Sequence, residues 1–273
     1  MDILVTNDDG IESPGLRAAV DSVLPLGRVV VVAPSRQQTS MGRGLSGNQD
    51  ARLQPVKYRV NGTDVRAYHI DCTPARAVLH AFDVLFTEKK PRLLVAGINY
   101  GENLGTNSTI SGTIGAALQA ATLGVRALAV SLQTAIENHR RHVELDWGTA
   151  RHFCRKFAAL MLEAPMPADV DVLNVNVPAA ATALTPWTVT RLSRQPYFGN
   201  RLNDPAPASR LGDAVCHYGY DTAKLEPDSD ILAVRNGLVS VTPISMDLTS
   251  RIDLKTFLKA GATAGLTTPP AQA

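Results

Sequence analysis

A chain that opens on a strand and turns at once on two adjacent carboxylates has few folds open to it, and the first fifteen residues do this here. Ile3, Leu4 and Val5 form a short apolar run of β-forming character, the pattern of a buried strand. Asn7-Asp8-Asp9-Gly10 ends the run, with Gly10 permitting a sharp backbone turn. Ser13 and Pro14 mark a helix start, a capping residue followed by proline at the first helical position. Asp8 and Asp9 therefore fall between the C-terminal end of a strand and the N-terminus of a helix, where open α/β sheets bind ligands. Carboxylates this close repel each other, and one holds a proton unless a cation neutralises the pair. The plain alternative is a polar turn, for which aspartate and glycine are common residues.

The rest of the chain continues the pattern. Leu16, Ala19, Val20, Val23 and Leu24 put one apolar face on a helix ended by Pro25 and Gly27. Residues 29–33 are a continuous β-branched run, as in a strand covered on both faces. The polar stretch from Pro34 to Ser46 reads as a loop leaving the same sheet edge as Asp8 and Asp9, with Thr39 and Ser40 within reach of them. Residues 58–70 suggest a hairpin turning at Asn61-Gly62, and Thr73-Pro74 opens a helix over 75–86. His69 and His80 sit in these elements as packed or surface histidines. A buried strand over 93–96 exits into a loop with glycine at 97, 101 and 105 and with Asn99 and Asn103 between them. Ser111, Gly112 and Thr113 then start an alanine-rich helix ending at Gly124, so free backbone N–H groups and hydroxyls meet there in an anion site. Strands over 127–132 and 170–177 flank a solvated basic segment, 139–142, and a helix over 147–162.

This alternation of strands and helices predicts an α/β fold with a Rossmann-like, doubly wound, mainly parallel sheet. The 273 residues suit one domain over 1–260. Residues 191–230, rich in proline and aromatics, break the pattern as a projecting β-hairpin that makes a lid or an oligomer contact. A strand over 238–244 and a short helix over 247–259 follow, and 261–273 read as a frayed tail. A net charge of +2 with no basic run argues against a nucleic-acid duplex or a membrane surface as partner. Three widely spaced cysteines and the acidic Asp2, where a secretory signal would be positive, lead to the expectation of a reducing cytoplasm.

Three strand exits thus converge: Asp8-Asp9, the Thr39-Ser40 loop and Asn99. All their ligand atoms are oxygen, which suits a hard divalent cation such as Mg²⁺ or Mn²⁺. Neither histidine nor cysteine joins them, which argues against zinc. An anion site beside a metal means phosphate-ester hydrolysis or phosphoryl transfer.

Residues 3–11, Val31-Val-Ala-Pro34, the Gly97-Ile98-Asn99-x-Gly101-x-Asn103-x-Gly105 loop, Ser111-Gly112-Thr113 and Val239-Ser-Val-Thr-Pro243 together resemble the SurE family of survival proteins. The resemblance runs in order from residue 2 to about residue 258. It implies a 5′/3′-nucleotidase, a phosphoric monoester hydrolase acting on nucleoside monophosphates. It implies a divalent metal on Asp8, Asp9, Asn99 and a hydroxyl after the second strand, with Asp8 and Asp9 catalytic. Asn103, Ser111, Gly112 and Thr113 would then take the phosphate. It further implies a homodimer or homotetramer with an exchanged C-terminal segment at about 245–260. The family usually has serine where Thr39 stands, so Thr39 is assigned and Ser40 is the alternate. Met41-Gly-Arg-Gly44 departs from the commoner Gly-His pairing and leaves base preference open. Two competing patterns fail. A haloacid-dehalogenase site needs Asp-x-Asp, not adjacent carboxylates. A receiver domain needs an Asp after the third strand and a Lys after the fifth. A nucleotide-binding module without catalysis differs only in an assay.

Overall fold

The computed structural model describes residues 2–139 and 142–263. In chain order its strands are β1 (Asp2–Thr6), β2 (Arg28–Pro34), β3 (Gln54–Pro55), β4 (Arg59–Val60), β5 (Thr63–Asp64), β6 (Arg66–Ile70), β7 (Leu93–Tyr100), β8 (Ala127–Leu132), β9 (Val172–Val177), β10 (Trp187–Val189), β11 (Phe198–Arg201), β12 (Val215–Tyr218) and β13 (Val239–Ile244). The helices are α1 (Pro14–Val23), α2 (Pro74–Leu85), α3 (Gly112–Thr122), α4 (Gly148–Glu163), α5 (Asp230–Arg235) and α6 (Leu254–Thr263). Nine strands form one sheet in the order β10-β13-β9-β8-β7-β1-β2-β6-β3. From β9 through β6 every neighbouring pair is parallel, while β13 on β9 and β3 on β6 are antiparallel.

The continuous apolar runs explain this. Alternate residues of each central strand face opposite layers, and both layers are apolar. Ile3, Val5, Val29, Val31 and Val95 pack in the core with α1 and α4. Leu4, Val30, Val32, Leu94 and Ala96 pack in the core with α2 and α3. A strand buried on both sides has no polar face to alternate with, so it reads as an unbroken hydrophobic run.

The chain leaves β1 through α1 to β2 on one side, whereas β7 lies on the other side of β1. The order therefore reverses between β1 and β7, and a crevice opens there at the strand C-termini. No helix among the described residues is long and apolar enough to cross a membrane.

Several local expectations are corrected. The turn at Asn61-Gly62 is present, with φ of 47° and 82°, but it joins only β4 and β5. Residues 66–70 leave that hairpin and pair in parallel with β2, because their apolar positions fill the edge of the main sheet. The strand after 93 runs on through Asn99 and Tyr100, so the first glycine of the expected loop lies inside β7, where the β7–β8 register shifts between Ala96 and Asn99. Ser13 occupies the N-cap of α1 without a side-chain cap bond. The last helix begins at Leu254 and continues to Thr263, so 261–263 are helical; the expectation for 264–273 lies outside the described residues.

Candidate metal centre and phosphate site

The turn after β1 is closed by Asn7, whose side chain accepts from the Gly10 amide at 3.2 Å and donates to the Gly10 carbonyl at 3.0 Å. That local clamp leaves Asp8 and Asp9 at the switch point, 6% and 3% exposed. Asp8 Oδ1 accepts from the Thr113 hydroxyl at 2.6 Å. Asp9 Oδ1 accepts from Gln37 at 3.0 Å, and its Oδ2 from the Tyr100 amide at 3.2 Å. Burial pushes both carboxyls above the ordinary carboxylate range, and the Asp8 charge pushes Asp9 further. The bonds from Thr113, Tyr100 and Gln37 favour the ionised forms but do not outweigh desolvation. Two desolvated carboxylates with no positive side chain among the described residues against them are a site that a cation would stabilise.

The other walls come from β2, β7 and α3. The loop after β2 is tied to the acidic turn by the Gln38 amide on the Asp8 carbonyl at 2.7 Å, and to the segment before α3 by the Gly42 amide on the Ile110 carbonyl at 2.9 Å. These bonds bring both Thr39 and Ser40 to the cavity wall. Asn99 at the end of β7 donates its amide nitrogen to the carbonyls of Tyr100 and Gly101, so its carbonyl oxygen is the end left for the cavity it lines. Asp8, Asp9, Thr39, Ser40, Asn99, Asn103 and Ser111 all line one cavity of about 450 Å³.

Ser111 caps α3 through its hydroxyl, which accepts from the Ile114 amide at 3.2 Å. Gly112 allows the helix end to approach the acid: a Cβ there would lie 2.8 Å from both Cβ and Oδ2 of Asp8. Thr113 is fully buried, and its hydroxyl serves Asp8. Asn103 is held on three sides, with its amide on Asn176, its side-chain nitrogen on Ser131 and its carbonyl accepting from Asn174 and Asn176.

Sequence reasoning missed two parts of this wall, while the third, the projecting hairpin, was read as a lid or an oligomer contact. The segment 139–142, read as solvated, folds inward at both described ends: His139 lines the cavity, and His142 Nε2 sits 3.1 Å from the Asp9 carbonyl. No spacing motif marks these histidines, because a non-periodic loop carries no face. Gln37 joins Asp9 to the His139 carbonyl, at 3.0 and 2.7 Å. The hairpin of β11 and β12 adds Phe198, Asn200 and Cys216 to the far wall. Its root is fixed by Asn107, which accepts from the Tyr197 and Phe198 amides at 2.6 and 2.9 Å, and by the Tyr197 hydroxyl on the buried Glu102 at 2.5 Å.

The donor set fits a hard cation. Among the described residues no group of three or more histidines, cysteines or acids could hold a metal, so any ion here depends on two carboxylates with amide, hydroxyl and water oxygen. That mixture suits Mg²⁺ or Mn²⁺ better than zinc.

A Rossmann-like sheet with an acidic, oxygen-rich cavity at its switch point and a helix N-terminus beside it defines a class of α/β protein suited to a cation and an anionic ligand together. Residues 3–198 match the family model described as survival protein SurE. The 5′-nucleotidase SurE of Methanothrix thermoacetophila is 40% identical over 92% of this chain and 95% of its own length. That of Archaeoglobus fulgidus is 41% identical over 93% and 94%. The crystal structure of the SurE protein from Aquifex aeolicus superposes with a TM-score of 0.74 at 28% identity, covering 97% of this chain and all of that one. The chain belongs to the SurE family.

Proposed function

We propose that this chain is a metal-dependent 5′-nucleotidase that hydrolyses nucleoside monophosphates to nucleoside and phosphate. The observation that carries the reading is the buried Asp8-Asp9 pair at the switch point, facing Asn99, two hydroxyls and the start of α3. The family relatives named as 5′-nucleotidases support it. In this reading Asp8, Asp9, Asn99 and Thr39 hold Mg²⁺ or Mn²⁺, with Ser40 as the alternate hydroxyl. The bound ion supplies polarisation of a phosphoryl oxygen and a lowered pKa for water. Ser111, Gly112, Thr113 and Asn103 form the phosphate side. There the helix dipole and any amides left free favour an anion, while Thr113 holds Asp8 in place. Gln37 and the Tyr100 amide fix the two oxygens of Asp9 in the same way. We further infer a cytoplasmic homodimer or homotetramer.

The test is phosphate release from a panel of nucleoside 5′- and 3′-monophosphates, with Mn²⁺, with Mg²⁺ and after chelation. Metal-dependent release is the expected result. Nucleotide binding without release under all three conditions would leave a binding module in place of an enzyme.

A further inference from the structure

The wall of the acidic cavity has two chemically different parts. Asp8, Asp9, Asn99 and Ser111 make the oxygen-bearing part. Ile110, half exposed, makes an apolar part with Ile136 and Phe198.

The β11–β12 hairpin turns one face toward this cavity. In the antiparallel pair Asn200 stands opposite Cys216, and Phe198 opposite Tyr218. Side chains directly opposite share a face, as do those two apart along one strand. Phe198, Asn200, Ala214 and Cys216 line the cavity, whereas the intervening Gly199, Arg201, Val215 and His217 do not. That alternation directs the side chains of Phe198 and Asn200 into the cavity and leaves the charged Arg201 on the other face. The Phe198 ring is held among three others, Tyr197, His139 and Tyr218, with centroids 4.6, 5.1 and 5.7 Å away. Asn200 is different: it is exposed, and its carboxamide makes no hydrogen bond to another described residue. The neighbouring carboxamides are committed. Asn107 binds Tyr197 and Phe198, while Asn103 and Asn99 use their nitrogens on Ser131 and on Tyr100 and Gly101.

We propose that this hairpin face is the nucleobase subsite, where Asn200 hydrogen-bonds the edge of the base and Phe198, Ile110 and Ile136 cover its ring. The proposal rests on the nucleotidase reading above, and it names the residue that tells a nucleotide from a base-free sugar phosphate. A phosphate between the acidic pair and the start of α3 sits next to Ile110, which directly precedes Ser111. The remainder of the ester then lies along the apolar part of the wall. The cavity, at about 450 Å³, is of a size that encloses a small organic ligand, and apolar walls with a few placed polar groups are how such sites hold one. A base has a flat apolar face and an edge that carries a donor beside an acceptor. A carboxamide offers the complementary pair, as asparagine does to N6 and N7 of adenine. Because Phe198 is already fixed by its neighbours, the subsite loses little freedom on binding.

Removing the base from the substrate tests this. The metal-loaded full chain is assayed on adenosine 5′-monophosphate and on ribose 5-phosphate, as wild type, Asn200→Ala and Asn200→Leu. The leucine keeps the bulk of the side chain and loses only its hydrogen bonds. The wild type should favour the nucleotide in kcat/KM. Both variants should lose about tenfold in kcat/KM on the nucleotide, carried mainly by KM, as for loss of one paired contact to a base. On ribose 5-phosphate both should stay within about twofold of wild type, since no base is there to bind. Equal losses on the two substrates, an undiminished kcat/KM on the nucleotide, or a wild type that does not favour the nucleotide overturns the subsite. A wild-type chain that cleaves neither compound overturns the nucleotidase reading instead, and the dissociation constants of the same two compounds then decide the subsite by the same criterion.

Discussion

Asp8 and Asp9 are adjacent, nearly sealed from water and, among the described residues, without a cationic side chain against them, so removing one charge should have opposite effects on stability and activity. Asp8→Asn and Asp9→Asn should each lower metal-dependent turnover by at least about 100-fold, since each removes a charge from the proposed metal set. Each should leave the melting temperature of the metal-free protein unchanged or higher, because a desolvated charge has gone. Wild-type turnover in both variants at saturating metal would reduce the pair to a turn. The pH dependence has a definite sign. Both folded pKa values are raised, so between about pH 4 and the raised values the native state binds more protons than the unfolded chain. The chelated protein should therefore lose stability as pH rises through that window. The increase in melting temperature on adding Mn²⁺ should grow over the same range, as protons cease to compete. A metal-induced shift that is flat across those pH values would break the link to these carboxyls. For the hydroxyl, Thr39→Val should weaken metal affinity and Ser40→Ala should not; the reverse order in a titration moves the ligand to Ser40. At this scale the meeting of the acidic pair, Asn99 and the two hydroxyls in one cavity was legible, because all of them leave the same C-terminal edge of the sheet. Thr113 acting on Asp8, Gln37 on Asp9 and His139 on the cavity were not, since each contact joins residues far apart in sequence through a single side chain.

The elements that carry the site were legible wherever one physical signal was strong. Continuous apolar runs gave β2, β7 and β8, and proline after a hydroxyl residue gave the starts of α1 and α2. The short pieces were harder. β3 and β10 have two and three residues, too few for a period, and α5 is capped by Ser229 within a proline-rich stretch. The sequence of residues 66–70 does not say whether they pair back on the hairpin or across to β2, and tertiary packing decides. At the site the decisive element is α3, whose first turn lies against Asp8 because position 112 has no side chain. Gly112→Ala puts a methyl group 2.8 Å from the carboxylate and the Cβ of Asp8, and one of the two must move. Overpacking of this kind costs about 1–3 kcal/mol, which should appear in denaturant unfolding together with a loss of metal affinity. Unchanged metal affinity would mean that the α3 contact does not set the Asp8 geometry. The β11–β12 hairpin is held at its root by the three hydrogen bonds of Asn107. Asn107→Ala leaves two amides without their acceptor and should raise the KM for nucleotide more than it lowers kcat, since the hairpin forms the far wall and not the acidic end. A fall in kcat at constant KM would contradict that division.

At the scale of the whole molecule, the two ends of the chain past β13 are in different circumstances. Ser245 and Met246, just past β13, bond to Asp169 and Asp171 ahead of β9. Beyond them Thr249, Lys255 and Thr256 bond to Asp247 and Asp253, carboxylates of the same segment. Leu248, Leu254 and Phe257 are 92%, 62% and 65% exposed, and Ile252 and Leu258 are about half exposed. A helix with its apolar side chains in water has no reason to hold its place in one chain, because burying each is worth about 1.5–3 kcal/mol. A second copy of the chain offers that burial at low cost if each gives its segment to the other. The β11–β12 hairpin, with Leu211 at its tip 99% exposed, would supply a separate contact if dimers pair. The expected outcome is a full chain of at least dimer mass by light scattering at micromolar concentration. A chain ending at Asp247 should scatter at lower mass while keeping its metal-dependent shift in melting temperature, since no residue placed in the metal set lies in the removed part. Deleting residues 203–213 should lower the mass only if tetramers form. A full chain that scatters as a monomer, or a shortened chain that keeps the full mass, rules out exchange of this segment and assigns the exposed apolar residues to a contact within the chain.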